Sequence, residues 1–508
     1  MDLLLLGALL LILLLVSIFW YKNASWNLGG KAPALPPGPR GLPIVGYLPF
    51  MGSDMLRKLT DLSHKYGPIY KLRLGSKLAV VITSPSLVKQ VLRDQDLIFA
   101  HRDSTVAGFT YSRGAKDLVF SPPNSSWRAM RKMLVRETQS SSGLDASYQL
   151  RKEQLRKAIG YIYSKSGEAV GFGELVFQTQ VNVVMNLMWG GIGSEERLGT
   201  EFKALNSEIS HLLAKPNVSD FFPLISWLDL QGVKKQMGKV VDSVDKILES
   251  LINEREKLSG SSLVKNGVGR KDFLQTVLEL KENKDSDLPA LSRDQLKSLL
   301  IEIVSGGSDT VATTVDFAMA ELLNSPEAMR EVQKELSDVV GMNNMVEEFH
   351  LPKLHYLKAV IKETLRLHPP VPFLIPRSPL QNSTVGEYTV PKGTKILINS
   401  WAIHRDPSIW DSPGEFKPER FLHDDAADFK GNSFQFIPFG SGRRICPGLP
   451  LAERMVAYFL ASFLHSFDWK SEDGKKLDMS ETVGLVLAKN NPTVAIPTPR
   501  LTNASLYI

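Results

Sequence analysis

The chain of 508 residues contains a single cysteine, Cys446, so no disulfide bond can form within it. The cysteine lies in the segment FGSGRRICPG (439–448), between glycines and prolines and next to Arg443 and Arg444. The following run from Leu449 to Phe467 is apolar, begins with a proline at its second position and has helical spacing. Nearby cations and the N–H groups at the start of a helix both favour a thiolate over a thiol. The segment therefore predicts a cysteine that is held in its charged form.

A thiolate in this setting indicates a metal site of a restricted kind. A lone cysteine cannot complete a zinc or iron–sulfur site, because those sites need several ligands. One thiolate is enough as the axial ligand of haem iron, and the glycines around Cys446 would let the backbone approach a flat ligand. A structural cysteine in a glycine turn is one alternative. A catalytic cysteine is another, but it needs a histidine partner that nothing in the sequence marks.

The pattern Phe439-x-x-Gly442-x-Arg444-x-Cys446-x-Gly448 resembles the haem-binding signature of the cytochrome P-450 superfamily. By this resemblance Cys446 would be the metal ligand of haem b, and the other four residues would contact the cofactor. The resemblance also implies a P-450 fold that is mainly α-helical with a minor β lobe. It favours one large catalytic domain over the two or more domains that the length alone would suggest.

A second pattern lies in a long apolar stretch that predicts a helix from Leu296 to Leu323. The stretch contains Gly306-Gly307-Ser308-Asp309-Thr310, and two glycines oppose the local helix propensity. Without side chains there, a flat ligand or O2 could approach the backbone, and Thr310 could donate to the Gly306 carbonyl. A kinked helix with a satisfied threonine is the alternative. The pattern resembles the family's oxygen-activation motif, apart from Val311 where Thr or Ser is usual, and implies that Asp309 and Thr310 relay protons.

Two further segments resemble the buried ionic network of the same family. Glu363 and Arg366 are spaced three residues apart, and Arg420 follows later in the segment PERF. The resemblance implies that these three residues hold the haem-side core rather than take part in catalysis. Glu302 lies four residues before Gly306, and we expect it to form a structural salt bridge rather than to contact the substrate.

Haem propionates need cationic partners, and the sequence offers several. Trp127 and Arg131 match the family's Trp-x-x-x-Arg helix, while Arg377 and Arg444 match two more arginines near propionates. A core tryptophan beside a surface arginine is the alternative for the first pair.

The segments that correspond to substrate-contacting regions of the family supply mostly apolar residues. The candidate pocket residues are Phe109, Phe120, Gly306, Val371, Phe373, Val486 and Leu487. They favour a hydrocarbon-like ligand, with plain core packing as the alternative.

The resemblance is to plant microsomal members and implies a monooxygenase that uses O2 to hydroxylate a sesquiterpene or other terpenoid. Oxidation of a phenylpropanoid, flavonoid or alkaloid is an alternative substrate reading, and an isomerase or dehydratase that uses no O2 is an alternative reaction.

The N-terminal run from Leu3 to Trp20 is uncharged over 18 residues, close to the length of about 20 that spans a bilayer. Asp2 precedes the run and Lys22 follows it, which favours a retained anchor with the body in the cytosol. A cleaved signal peptide is the alternative. The sequence predicts one transmembrane helix over residues 1–22, a proline-rich spacer over 23–43 and the catalytic domain over 44–508. The resemblance implies that this helix anchors the protein in the endoplasmic reticulum membrane.

A net charge of +6 is too mild to indicate nucleic-acid binding. No dinucleotide or flavin motif accompanies the glycines near Cys446, so the resemblance implies that a separate NADPH-cytochrome reductase supplies electrons. One cationic cluster would serve as a docking patch for an acidic partner or simply as a solvated face: Arg128, Arg131, Lys132 and Arg136.

The remaining patterns are local. A hairpin is predicted from Ile69–Leu74 and Lys77–Ile82, and a strand from Lys395 to Ser400. An apolar stripe from Val233 to Leu251 predicts a helix, and the polar segment from Leu258 to Lys271 predicts a surface loop.

Overall fold

The computed structural model describes residues 7, 11, 15, 33–52, 54–190, 195–259, 272–282, 291–422 and 427–508. The predicted anchor lies outside the described residues apart from three isolated positions, and so do the first ten residues of the predicted spacer. The predicted loop from Leu258 to Lys271 also lies outside them, except for its first two residues, which end a helix. Within the described ranges, no helix is long and apolar enough to span a membrane.

Helices dominate the described residues, and the strands are short. The helices are α1 (Met55–Tyr66), α2 (Pro85–Lys89), α3 (Asp96–Phe99), α4 (Val106–Tyr111), α5 (Ser125–Leu134), α6 (Ser141–Ala146), α7 (Tyr148–Ser164), α8 (Phe172–Trp189), α9 (Glu195–Ala214), α10 (Val218–Phe221), α11 (Val233–Ser259), α12 (Phe273–Glu282), α13 (Arg293–Asn324), α14 (Pro326–Val340), α15 (His355–Leu367), α16 (Ser400–Ile403) and α17 (Leu449–Ser466). The strands are β1 (Ile69–Leu74), β2 (Lys77–Ile82), β3 (Val170–Gly171), β4 (Ser383–Val385), β5 (Tyr388–Val390), β6 (Lys395–Ile398), β7 (Phe467–Ser471), β8 (Glu481–Val483), β9 (Leu487–Lys489) and β10 (Val494–Pro499).

The chain divides into two compact units. The first contains Met1–Asp103, Pro216–Gln231 and Phe373–Ile403, and the second contains Ser104–Lys215, Gly232–Pro372 and His404–Ile508. The first unit holds the sheet β1-β2-β6 and the hairpin β4-β5, whereas the second holds the sheet β3-β10-β7, the hairpin β8-β9 and the long helices.

The β1-β2 hairpin of the first unit has the bounds that the sequence predicts, with Ile69 opposite Ile82 in an antiparallel register. The turn contains Gly75 at a φ of +60°, a left-handed conformation that glycine adopts without strain. The predicted strand from Lys395 is shorter than expected and ends at Ile398. The side chain of Asn399 accepts a hydrogen bond from the Ala402 amide at 3.0 Å, and this cap starts α16 in place of further strand.

The second unit is built around α13, a helix of 32 residues that extends slightly beyond its predicted ends. Ser292 begins it with a capping box, in which the Ser292 and Gln295 side chains each bond the other residue's backbone N–H. Helices α8, α15 and α17 pack against α13, and most of its apolar residues are buried between them. The central helix therefore has little contact with solvent along much of its length, which makes its polar segment unusual.

An ionic network centred on the fully buried pair Glu363 and Arg366 joins α15 to segments later in the chain. Arg366 donates from Nε and Nη2 to the two carboxylate oxygens of Glu363, both at 2.8 Å. Arg420 Nε donates to Glu363 Oε1 at 3.0 Å, and the Lys417 amide donates to the same oxygen at 2.9 Å. Arg366 Nη1 also donates to the His404 carbonyl at 2.7 Å. The three residues proposed from the sequence thus meet in one network.

Replacing Glu363 with alanine should destabilise the second unit strongly. Two arginine side chains would lose their carboxylate in a buried site, and such a loss costs about 3–5 kcal/mol. Urea unfolding of the full chain would measure it. Lys358→Ala, an exposed position on the same helix, is the control and should change the free energy of unfolding by less than about 0.5 kcal/mol. Equal stabilities of the two variants would contradict this account of the network.

Candidate active site

The loop that carries Cys446 is folded back on itself by backbone hydrogen bonds. The Cys446 amide donates to the Phe439 carbonyl at 3.0 Å, and the Ile445 amide donates to the Gly442 carbonyl at 3.0 Å. Gly440 and Gly442 have φ angles of +73° and +70°, which residues with a Cβ rarely adopt. Gly440 and Gly442 are therefore required by the turn that presents the cysteine.

The surroundings of the Cys446 sulfur combine accessibility with enclosure. The side chain is exposed, yet protein atoms surround it closely enough that burial raises the pKa of its thiol. The N–H groups of Gly448 and Leu449 and the charge of Arg131 act in the opposite direction and lower the pKa. Helix α17 thus begins at the sulfur, as the sequence predicts.

The cation that acts on the thiol is Arg131 rather than the adjacent Arg443 and Arg444 that the sequence suggests. Arg131 Nη2 donates to the Ile445 carbonyl at 2.7 Å, so the guanidinium is fixed beside the cysteine loop. The neighbouring Arg443 is exposed. Chain neighbours of a cysteine are easy to see in the sequence, but a cation from a distant segment can act on the sulfur instead.

Arg444 and Trp127 form a second fixed pair in the same unit. The Arg444 guanidinium lies 4.5 Å from the centroid of the Trp127 ring, and that of Arg131 lies 5.7 Å from it. Arg444 Nη1 and Trp127 Nε1 both donate to the Leu118 carbonyl at 2.9 Å, and Arg444 also donates to the Ser121 carbonyl. The structure therefore brings together Trp127, Arg131 and Arg444 around the cysteine loop.

Arg377 lies in the first unit, where it is almost completely buried. Its Nη1 donates to Asp96 Oδ1 at 3.0 Å, and its backbone pairs with Ile396. Burial lowers the pKa of Arg377, and Asp96 partly restores it. The role proposed for Arg377 at a propionate stays a prediction.

The polar segment of α13 is held by hydrogen bonds to its own carbonyls. Thr310 Oγ1 donates to the Gly306 carbonyl at 2.8 Å, which confirms the contact predicted from the sequence. Thr314 Oγ1 makes the equivalent bond to the Thr310 carbonyl at 2.7 Å. From α8, Gln180 Nε2 donates to the Gly307 carbonyl at 2.9 Å. A Cβ built on Gly306 would meet nothing within 4 Å outside its own helix, so the helix surface is open there.

Asp309 is turned towards α9. Its Oδ2 accepts a hydrogen bond from Asn206 Nδ2 at 3.0 Å and another from Ser210 Oγ at 3.2 Å. Burial raises the pKa of Asp309, and the two hydrogen bonds lower it. Sequence reasoning missed Gln180, Asn206 and Ser210. Their only signal was a polar side chain on a largely apolar helical face, which does not say what the side chain contacts.

Glu302 does not form the salt bridge that the sequence predicts. Its Oε2 accepts a hydrogen bond from the Leu118 amide at 2.8 Å, and no cation lies within ion-pair distance among the described residues. Burial raises its pKa well above the usual range, and the neighbouring Asp117 raises it further. Asp117 caps the same loop by accepting from the amides of Phe120 and Ser121, and burial raises its pKa to about 6. Glu302 is thus a loop anchor rather than half of an ion pair.

The candidate pocket residues occupy different environments. Phe109 is exposed, Phe120 is half-buried beside Gly108, and Leu487 is fully buried. Val371 and Val486 are half-buried in the second unit, and Phe373 is buried in the first. The Leu487 amide donates to the Pro370 carbonyl at 2.8 Å, and Thr313 Oγ1 donates to the Leu487 carbonyl at 2.8 Å. The backbone near Val371 and Leu487 is thereby attached to α13, while the pocket roles stay predictions.

Comparison with known proteins decides the family. Residues 36–496 match the family model described as cytochrome P-450. The chain belongs to the cytochrome P-450 family. This P-450 is 39% identical over 495 residues to geraniol 8-hydroxylase of Catharanthus roseus, covering 96% of this chain and 98% of the relative. It is 37% identical over 492 residues to ferruginol synthase of Isodon rubescens, covering 96% and 99% of the two chains.

Further similarities agree with this membership. Carnosic acid synthase of Salvia pomifera is 37% identical over 481 residues, covering 92% of this P-450 and 95% of the relative. A zebra fish cytochrome P-450 solved with progesterone superposes with a TM-score of 0.74 at 25% identity, covering 87% of this chain and 99% of that one. The mainly helical fold with small sheets that the sequence implies is confirmed. The chain is an oxidoreductase of the monooxygenase type, and its family uses haem with cysteine thiolate ligation.

The residues present fit a haem group. The chain has one cysteine, and its accessible sulfur lies at the start of α17 under the influence of Arg131. The open surface at Gly306 leaves room for a flat ligand beside α13. Cys446 would hold the iron, and Trp127, Arg131 and Arg444 are the cationic and aromatic groups that would lie near the propionates.

Gly306→Ala should make this P-450 more stable and less active. The added methyl group meets nothing in the protein, and alanine favours a helix over glycine by about 1 kcal/mol. The same methyl group would narrow the open surface that a ligand needs. Thermal unfolding and turnover would measure the two effects.

The matched control is Gly238→Ala in the second turn of α11, where a Cβ also meets nothing within 4 Å. This variant should gain similar stability and keep its turnover. If Gly306→Ala kept the turnover of the control, the open surface at Gly306 would not serve ligand binding.

Proposed function

We propose that this cytochrome P-450 hydroxylates a small terpenoid with O2 and electrons from NADPH. The observation that carries the proposal is the similarity over nearly the whole chain to geraniol 8-hydroxylase and ferruginol synthase. Geraniol is a terpene alcohol with one polar group and an otherwise apolar skeleton. A sesquiterpene substrate remains a prediction from the sequence alone.

The charges of the site agree with an apolar ligand. Apart from Gly306, the candidate pocket residues are apolar side chains, which match the lining that hydrocarbon ligands need. Glu302 is the acid on α13 nearest to Gly306 in the N-terminal direction, but it accepts from the Leu118 amide, and burial favours its neutral form. It is therefore a poor partner for a cationic substrate, which counts against an alkaloid.

When bound, haem would supply the oxygen-activating chemistry of the family, and the protein must supply protons at the right place. Thr310 donates its hydroxyl proton to the Gly306 carbonyl, and its oxygen keeps lone pairs that can accept a proton. Asp309, next in the chain, is a buried carboxyl whose hydrogen bonds favour the ionised form. We infer that Asp309 takes up protons and Thr310 passes them on, each returning to its starting state.

Thr310→Ala should uncouple the reaction, because NADPH would still be consumed while the proton path is lost. Loss of a group that transfers protons lowers the rate by about 100-fold or more, so the yield of product per NADPH should fall steeply. Product and NADPH would be measured together with a terpene alcohol as substrate and reductase present.

Thr314→Ala is the matched control, because Thr314 makes the same type of hydrogen bond one turn later in α13. It should remain coupled. Equal coupling in both variants would contradict the role given to Thr310, and product formed without NADPH would favour an isomerase or dehydratase.

We propose that electrons come from a separate NADPH-cytochrome reductase that docks through α5 and the π-helical turn that continues it, Val135–Gln139. Arg128, Lys132 and Arg136 are exposed there at intervals of four residues, so they lie on one face, whereas Arg131 faces the cysteine loop. A row of cations suits an acidic partner.

Salt should weaken this docking. At about 1 M salt the screening length falls to about 3 Å, so turnover driven by the reductase should decrease. Turnover driven by added peroxide needs no docking and is the control. An equal response of both reactions to salt would argue against an electrostatic docking site.

We also propose that the protein is anchored in the endoplasmic reticulum membrane with its catalytic domain in the cytosol. Leu224 and Trp227 in the first unit are 93% and 79% exposed. Five further apolar side chains on the neighbouring segments are also exposed: Leu42, Ile44, Phe50, Leu228 and Leu230. The exposed residues lie on two segments, 42–50 and 224–230, that are close to the β1-β2 turn along the chain or through hydrogen bonds. The Gly75 amide donates to the Val45 carbonyl, and the Ser76 amide donates to the Phe221 carbonyl. A tryptophan among exposed apolar residues suits a membrane interface.

Intact microsomes that contain the full chain would test this orientation. Protease added outside should digest the catalytic domain, whereas protection of that domain would contradict a cytosolic location.

A further inference from the structure

The Asp309 carboxylate is cradled by two neutral side chains from a neighbouring helix. Asn206 and Ser210 are four residues apart, so they lie on one face of α9, and both donate to the same oxygen, Oδ2. Asn206 is 3% exposed, and its side chain is thus committed to the interior. Because the site is buried, two donors to one oxygen restrict the rotation of the Asp309 carboxylate.

Only neutral groups counteract the rise that burial causes in the pKa of Asp309. Within the described part of the chain, the influences on the pKa of Asp309 are burial, which raises it, and the hydrogen bonds from Ser210 and Asn206, which lower it. No charged side chain contributes, and the charged residues near these positions on α9, Glu208 and His211, are exposed to solvent. The readiness of Asp309 to ionise therefore depends on α9.

We propose that Asn206 and Ser210 are positioning residues for proton delivery. By holding one oxygen of Asp309, they fix the orientation of the carboxylate and keep it able to accept a proton. Each proton accepted at Asp309 leaves it again, so the carboxylate is restored in every cycle. The inference rests on the proposed function of Asp309 and Thr310, and adds that the coupling of NADPH consumption to product depends on residues of α9.

The position of α9 gives this arrangement a consequence for substrate binding. Helix α9 packs against α4 and α8 in the second unit. Helix α4 carries Phe109, one of the residues predicted to contact substrate. A substrate that displaces α9 would move both donors away from Asp309 together, so a badly fitting substrate would waste NADPH.

The test compares variants of the full-length protein with bound haem. Ser210→Ala and Asn206→Leu remove one donor each, and Ser207→Ala, an exposed serine on the same helix, is the matched control. When the two substitutions are combined, we expect the product formed per NADPH to fall on the order of tenfold, because misplaced catalytic groups lose much of their effect. Ser207→Ala should stay unchanged, and Ser210→Thr, which keeps a hydroxyl, should recover most of the coupling.

The pH profile separates positioning from a merely structural role. Removing either donor raises the pKa of Asp309 further, so the acidic limb of product formation should move to higher pH. A structural defect would lower the profile without moving that limb. If the two donor variants kept both the wild-type coupling and the wild-type acidic limb, the inference would be overturned.

Asp309→Asn distinguishes this failure from failure of the proposed function. If Asp309→Asn loses coupling while the donor variants do not, Asp309 relays protons but α9 does not position it. If Asp309→Asn keeps wild-type coupling, the proton relay itself is wrong and the inference falls with it.

Discussion

The need to satisfy buried polar groups governs the centre of this P-450. Helix α13 is packed on several sides by other helices, yet it carries glycines, a carboxyl and hydroxyls in its middle. A buried polar group without a partner costs free energy comparable to a lost hydrogen bond or more. Accordingly Gln180 bonds the Gly307 carbonyl and α9 supplies two donors to Asp309, while Thr310 bonds the Gly306 carbonyl at the open surface of the helix. Thr310 and Asp309, which take part in these bonds, are also the residues proposed to transfer protons.

The cysteine side of the site depends on a different balance. Burial disfavours the thiolate, while the first N–H groups of α17 and the charge of Arg131 favour it. Arg131 is itself fixed by the Ile445 carbonyl and lies near the Trp127 ring, so the charge stays beside the loop. Enclosure and stabilisation of the charged form are therefore provided by separate elements, which suits a sulfur that must bind a metal away from bulk water.

Short sequence patterns predicted much of this arrangement. The spacing around Cys446 and the contact from Thr310 to Gly306 are local, and so is the pair Glu363 and Arg366. Local geometry follows directly from spacing along a turn or helix. The β1-β2 hairpin was predictable for the same reason, because two short strands flank a glycine turn.

Contacts between distant segments could not be predicted in this way. The donors to Asp309 are about 100 positions earlier in the chain, and Glu302 bonds the amide of Leu118 rather than a cation. The cation that acts on the sulfur is likewise from a distant segment: it is Arg131 rather than the neighbouring Arg443 or Arg444. Which side chains meet across helices is decided by tertiary packing, which no periodicity in a single sequence contains.

We propose that this protein inserts an oxygen atom from O2 into a terpenoid. The most direct measurement is incubation of the full chain with reductase, NADPH, isotopically labelled O2 and geraniol, followed by mass spectrometry of the product. We expect a hydroxylated terpenoid that carries one labelled oxygen atom. A product without the label, or no product from geraniol and related terpenoids with an active reductase, would contradict it.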